Sequence, residues 1–382
     1  MKKHALILGT ITSQAEAMQW LKENGWQVSA CGHVQEGPGV EIADNFYLVD
    51  ILDVPRVIEL AETVKADVIY SVGSDIAMPT IAQASQSLGL PCFFDPETTE
   101  ILHRKLLTRQ FLNDQGISTT CFKKLTSIED LQGFTAFPAI IKPADSQGQR
   151  GISIVNSQEE AVCLLPDSLS ASRTYEAIIE ELIDGPEISV HAFVVDSKLK
   201  FFLPSDRHVW QGPAVGVPTG HAVPSSFLSR NDLPRVKQLV QSCIQSLGIT
   251  DGPLYFQMKI CPVHGPKIIE IAPRLDGCHM WRLIEFHTGV NLIKACFDSL
   301  AGLSWQETLN QTPLLPCSLW FFMQKTGDKF RKDLHTLPVG ANCIYEHFLY
   351  SEGQTVRFTN GVIEKVGYYI LRDSDSSSSM GG

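Results

Sequence analysis

The stretch Lys267–Gly277, KIIEIAPRLDG, decides how this chain is read. Its β-branched isoleucines predict a strand. With a period of two, Glu270 and Ala272 share one face and Ile269 and Ile271 the other. Pro273 ends the ladder, and Arg274 stands where strand gives way to loop. An ionised carboxylate inside a sheet is costly unless a cation compensates it. Two readings follow. Glu270 forms a structural ion pair with a lysine or arginine, or it belongs to a functional site.

Working outward, the whole chain bounds the choice. Its 382 residues allow about two to three domains. Apolar residues make up 44% and charged residues 19%, the balance of a chain that buries a sizeable core. A net charge of −11 argues against a nucleic-acid partner, because phosphate binding needs a basic face. Any phosphate-bearing ligand must therefore meet a local cluster of cations. The ten cysteines are scattered without a C-x-x-C pair, which fits reduced thiols in a cytoplasmic protein. The start MKKHALILGT imitates a signal peptide, but its apolar run ALIL is too short and soon meets TSQAE. No stretch approaches a membrane span, so no membrane partner is expected.

Residues 1–94 alternate strand and helix: HALILG, SQAEAMQWLKENG, WQVSACG, VPRVIELAETVKA, DVIYSV, MPTIAQASQSLG. This order predicts a parallel sheet covered by helices. The first strand–helix turn, GTITSQ, lacks the G-x-G-x-x-G fingerprint of a dinucleotide site. Ligands of such sheets bind beyond the carboxyl ends of the strands, where GSD places Asp75. Asp75 is either a helix cap or a substrate contact. DPETTEILHRKLLTRQFLNDQG then predicts one helix, capped by Asp95 and closed by Gly116. Strand-rich segments follow, with antiparallel pairing expected. They include a glycine- and proline-rich loop from His208 to Pro224, and the pair PLYFQMKIC and PKIIEIAP. The domain plan is 1–94 α/β, 95–304 with a lid subdomain at about 120–182, 305–372 a small α+β segment, and a disordered Ser-rich tail at 373–382.

Two more stretches carry chemistry. In PAIIKPADSQGQRGISIV, Pro138–Val155, a strand delivers Lys142, and a loop with Gly148 and Gly151 follows. Such a hairpin can turn backbone N–H groups toward an anion, with Lys142 and Arg150 adding charge. In IIEELIDGPE, Ile178–Glu187, two glutamates end an apolar strand and a third follows a turn. An adenine needs an apolar slot with an acceptor for its amine, which Glu180 or the Glu181–Leu182 backbone can supply. A ribose needs a carboxylate, which Glu187 can supply.

The order of these elements resembles the ATP-grasp superfamily of carboxylate–amine ligases, and within it the L-amino acid ligase branch, over about residues 90–304. The resemblance implies a parallel α/β domain, then an ATP-grasp fold with mixed and antiparallel sheets. It implies ATP as co-substrate and Mg2+, with Mn2+ as a substitute. Lys105 and Lys142 would hold phosphates, and Ser146–Gly151 would form a lid carrying Ser146, Gly148 and Gly151. Glu180, Glu181, Leu182 and Ile183 would border adenine, and Glu187 would bind ribose. Glu270 and Gln257 would ligate metal. Arg274 would stabilise the transferring phosphate and the tetrahedral intermediate, with Lys142 as the other catalytic cation. Asp75, His221 and Cys278 would face substrate, Cys278 as a small pocket wall, although a core cysteine is the plain reading of that residue.

The chain departs from the family at three places. Gln257 stands where glutamate is common, and Ala272 where asparagine is usual. Pro218 stands where the amino acid ligases often carry a glutamate three residues before the histidine. The implied activity is amide formation through an acyl phosphate, on an amino acid or a similar small carboxylate and amine, by a monomer or a homodimer. Rival readings are bicarbonate activation to carboxyphosphate, a nucleotide-binding module without catalysis, and a nicotinamide-dependent dehydrogenase. The last rests on the N-terminal pattern alone.

Overall fold

The computed structural model describes residues 2–145, 151–212, 216–312, 315–358 and 362–372. The expectations for Ser146, Gly148, Arg150 and the tail lie outside them. The chain opens with β1 (His4–Leu8), α1 (Thr12–Glu23), β2 (Gln27–Gly32), α2 (Gly39–Ile42), β3 (Asn45–Leu48), α3 (Val54–Val64), β4 (Val68–Tyr70) and α4 (Met78–Leu88). The four strands pair in parallel in the order β3-β2-β1-β4. All five residues of β1 are buried, as a parallel strand covered on both faces requires. Asp53 caps α3 through the Arg56 N–H, and Gly89 closes α4 in the left-handed region. The short α2 and β3 lie in a stretch whose sequence carries no clear period.

The helix expected from Asp95 to Gly116 is two helices, α5 (Pro96–His103) and α6 (Lys105–Asp114). The chain breaks at Arg104, which is extended at φ −93°, ψ 112°. The Thr108 hydroxyl donates to the Ile101 carbonyl at 2.8 Å and the Arg104 carbonyl at 3.2 Å, satisfying groups that the break leaves open. Lys105 thereby opens a new helix instead of lying inside a long one.

A small sheet follows, from β5 (Phe122–Leu125), β6 (Ala139–Pro143), β7 (Ser153–Val155) and β8 (Ala177–Glu181), in the order β5-β8-β6-β7 and all antiparallel. Helix α7 (Gln158–Ala171) covers it, with Ala161, Leu165 and Leu169 packed on Ile141, Val155 and Ile179. This helix was not anticipated, because Pro166 interrupts its pattern.

The largest sheet comprises β9 (Glu187–Val195), β10 (Lys198–Val209), β11 (Pro218–Val223), β12 (Gly252–Cys261), β13 (Gly265–Ala272), β14 (Cys317–Lys325), β15 (Cys343–Phe348) and β16 (Ile363–Arg372). Their order is β13-β12-β9-β10-β11-β14-β16-β15, antiparallel throughout. Helices α8 (Asp232–Ser246), α9 (Met280–Thr288) and α10 (Leu292–Leu300) pack with it. One expectation changes. The loop expected from His208 to Pro224 contains strand β11. Strand β14 pairs with β11 and carries the large sheet past residue 304.

One apolar core joins the parallel sheet to the large one. Tyr70 of β4 meets Phe297 of α10 edge-on at 5.6 Å, and Phe93 bridges Tyr70 to Phe193 of β9 at 6.3 and 5.9 Å. A second core, with Phe322, Phe330, Tyr350 and Val366, anchors the C-terminal strands. Among the described residues no helix is long and apolar enough to cross a membrane.

Candidate active site

A cavity of about 660 Å³ opens where the three sheets converge. One wall is a buried cation cluster. Glu180, at the end of β8, pairs through Oε1 with Lys142 of β6 and receives Arg109 Nε of α6 at 2.5 Å on Oε2. All three are almost wholly buried. Burial raises the Glu180 carboxyl, but Arg109 and Lys142 outweigh it and hold its pKa at about 2. Burial lowers the Lys142 ammonium below the usual lysine range; Glu180 opposes this, and Arg109 adds to it. Two cations therefore share one carboxylate, leaving an excess positive charge at the wall. Lys105, one helical turn before Arg109, lines the same space.

Arg109 also shapes the opposite wall. Its Nη1 donates to the Ile268 carbonyl at 2.7 Å and its Nη2 to the Ile269 carbonyl at 3.1 Å. There β13 carries a bulge: Gln257 faces Glu270 while Met258 faces Ile268, so Ile269 has no partner in the ladder. The strict alternation expected for KIIEIA fails at this point. Ile269 and Glu270 both line the cavity, while Ile268 and Ile271 are buried.

Glu270 has no ion pair or hydrogen bond among the described residues, so the ion-pair reading of the opening stretch is not met there. Gln257 lies directly across the ladder from it. The Gln257 amide donates to Glu187 Oε2 at 2.9 Å, which leaves its carbonyl oxygen for a cation. Glu187 also accepts from Arg207 Nη1 at 3.0 Å, while among the described residues its Oε1 has only Lys259, at 3.9 Å. Between these groups runs the Glu181–Ile183 segment. The Glu181 and Leu182 N–H groups donate to the carbonyls of Cys121 and Pro138. The next N–H, of Ile183, has no backbone acceptor among the described residues. Of the two acceptors expected for the adenine amine, Glu180 or the Glu181–Leu182 backbone, Glu180 has both its oxygens engaged by cations.

Arg274 holds a bidentate pair with Asp75, Nε and Nη2 each 2.6 Å from a carboxylate oxygen. Its Nη1 donates to the Leu275 carbonyl at 2.9 Å. Asp75 is therefore an ion-pair partner and makes no side-chain helix cap. The pairing depends on a close backbone approach. A Cβ on Gly73, at φ +71°, would lie 2.6 Å from the Gly277 Cα, so the loop after β4 rests directly on the loop after β13.

Beyond Arg274 lie Asp276 and Cys278, both at the cavity. His221, expected to face substrate, is fully buried and stands behind the wall. Gly151, described at the edge of the loop, packs on Pro143 and Ala171 and does not line the cavity. Glu16 of α1 fastens this end of the site. It accepts from Tyr368 Oη at 2.5 Å and Trp281 Nε1 at 2.9 Å, and pairs with His279 Nδ1 at 3.0 Å. Burial raises the Glu16 carboxyl, but these partners, His279 first, depress it to about 2.

Sequence reasoning missed Arg109, Arg207, Asp276 and Lys365, all at the cavity. Arg109 left a signal: a cation in phase with buried Leu112 on an amphipathic helix. Asp276 lay inside the opening stretch itself. Arg207 and Lys365 sit on alternating strands where nothing local separates them from surface charges.

Residues 103–277 match the family described as phosphoribosylglycinamide synthetase, ATP-grasp (A) domain. A phosphoribosylamine–glycine ligase of Methanococcus maripaludis is 25% identical over 279 residues, 65% of this chain and 62% of the relative. The uncharacterized protein y4rH of Sinorhizobium fredii is 25% identical over 224 residues, 56% of this chain and 45% of its own. The chain thus spans less than two thirds of these curated relatives. The solved L-amino acid ligase of Bacillus licheniformis has a TM-score of 0.80 at 16% identity, covering 98% of this chain and 95% of that one. Other structures of similar fold were solved with ADP or its magnesium salt. The match to an ATP-grasp domain over residues 103–277, and a fold shared with the solved L-amino acid ligase, agree with the resemblance read from the sequence. The mixed α/β architecture expected from the sequence is the one observed.

Proposed function

We propose that the protein is an ATP-dependent carboxylate–amine ligase acting on an amino acid or a closely similar substrate. One observation carries this reading: a buried wall with more cations than carboxylates faces a carboxylate, Glu270, that has no hydrogen bond or ion pair among the described residues. A triphosphate meets the first, and a divalent cation the second.

Lys142, Arg109 and Lys105 bind the phosphates. The Ile183 N–H meets the adenine edge, and Glu187 Oε1 accepts from the ribose. Glu270 and the Gln257 carbonyl are hard oxygen donors facing each other, and they fit one magnesium ion that keeps several waters. Ala272 offers no donor, so no further ligand comes from that position. Bound there, the ion would neutralise charge on the phosphates. Arg274, held rigid by Asp75, presents fixed positive charge beside Glu270. In the first step a carboxylate oxygen of the substrate attacks the γ-phosphorus and ADP leaves, giving an acyl phosphate. An amine then attacks the carbonyl carbon, and phosphate leaves as the amide forms and the nitrogen loses a proton. The Arg274 guanidinium stabilises the oxyanion between these states. Positioning and preorganised charge supply most of the acceleration.

The test is phosphate release from Mg-ATP, screened over amino acids singly and in pairs, with and without bicarbonate. Release that requires an amino acid supports the proposal. Release driven by bicarbonate alone would move the assignment to carboxyphosphate formation. Release under no condition would favour a binding module.

A further inference from the structure

A second cation site lies under the cavity floor, built from donors that the proposed reaction does not use. His221 of β11 meets Asp276 and Cys278, which follow β13, so that a ring nitrogen, a carboxylate oxygen and a sulfur all lie within 4.8 Å of one another. Both His221 nitrogens and Asp276 Oδ2 are buried without hydrogen-bond partners among the described residues. Buried polar groups left unpaired are costly, so one His221 nitrogen and Asp276 Oδ2 meeting the Cys278 sulfur call for a ligand. They offer no surface to a water-sized group. A metal ion bonded at about 2.0–2.3 Å instead fits between the donors themselves.

The donor chemistry selects the ion. One nitrogen, one carboxylate oxygen and one sulfur suit a borderline-soft ion of the zinc class, whereas magnesium prefers oxygen. We propose that His221, Asp276 and Cys278 bind a zinc-class divalent cation, separate from the magnesium position at Glu270. Asp276 favours a cation beside His221 and Arg207 opposes it, while Arg207 is itself paired with Glu187 and Arg274 with Asp75. Burial and then Asp276 push the Cys278 thiol up, and Lys365 Nζ, 3.6 Å from Sγ, acts against them. On binding, the thiol proton leaves to solvent and a sulfur–metal bond replaces the S–H bond. Cys278 is the half-buried member and lines the cavity, so the fourth coordination position opens on that side. The ion ties β11 to the segment that carries Arg274.

The experiment loads the tag-free chain with Co2+ in the absence of nucleotide, followed by dialysis, metal analysis and absorption spectroscopy. We expect about one cobalt per chain and a thiolate-to-cobalt charge-transfer band. Cys278→Ser should abolish the band, and both Cys278→Ser and His221→Asn should weaken cobalt binding by more than about 100-fold, the upper range for loss of a supporting partner. Cys163→Ser, at an exposed cysteine, should change neither. If His221→Asn fails to fold, the wild-type band and its loss in Cys278→Ser decide alone. No retained cobalt, or a band that survives Cys278→Ser, would overturn the proposal. Because no ATP is present, either result is independent of the ligase reading.

Discussion

Replacing Glu180 by glutamine leaves Lys142 and Arg109 buried without the carboxylate they share. Removing one partner of a buried ion pair typically costs about 3–5 kcal/mol, because the remaining charge is uncompensated. At about 2 °C per kcal/mol for a chain of at least this size, the melting temperature should fall by roughly 6–10 °C. Nucleotide supplies the opposite test. Ligand at a hundredfold its dissociation constant stabilises a fold by about 2.7 kcal/mol. If the triphosphate sits against Lys142 and Arg109, its negative charge replaces the lost carboxylate, and Mg-ATP should raise the variant's melting temperature by more than the wild type's. Thermal unfolding of both proteins, with and without Mg-ATP, reads this directly. An unchanged melting temperature without nucleotide would show that the cluster contributes nothing to stability. A nucleotide-induced rise no larger than in the wild type would place the phosphates elsewhere.

Arg274→Ala should retain ATP binding and lose about 10²–10³ in turnover, the usual cost of one oxyanion donor; wild-type turnover in the folded variant would remove Arg274 from catalysis. Acid should weaken the fold early. Burial holds His191 neutral, with its pKa lowered to about 4 from 6.5, so the unfolded chain takes up protons first and stability falls as pH drops below about 6.5. Urea unfolding from pH 7.5 to 5 should show that slope, and His191→Asn should flatten it; a level wild-type profile would contradict it. Glu16 adds a lower window, its contribution present above about 4.5 and lost as pH falls toward 2, which Glu16→Gln should remove from acid titrations.

The parallel sheet was legible because HALIL and DVIYS are apolar runs separated by helices with clear caps, such as Asp53 and Gly89. The order of Lys105, Lys142, Glu187, Gln257 and Glu270 was legible because each lies on a recognisable strand or helix, and the structure gathers all five at one cavity. What escaped was set by long-range geometry. The bulge at Ile269 depends on Arg109 drawing off the strand's carbonyls, some 160 residues away in sequence. The Asp75–Arg274 pair joins two sheets through the Gly73–Gly277 contact, which no local pattern announces. The continuation of the large sheet past residue 304 depends on β11, a strand hidden in a segment rich in glycine and proline. The break at Arg104 was invisible because both sides have helical periodicity.

The central claim is that ATP activates a carboxylate of the substrate. Isotope transfer tests it most directly. Amino acids labelled with 18O in the carboxylate are incubated with enzyme and Mg-ATP in unlabelled water, and the released phosphate is analysed by mass spectrometry. An acyl-phosphate route carries one labelled oxygen from each activated carboxylate into phosphate, so the account predicts singly labelled phosphate in step with ADP formation. Phosphate that carries only unlabelled oxygen would mean that the amino acid carboxylate never attacks the γ-phosphorus, and would contradict the ligase assignment.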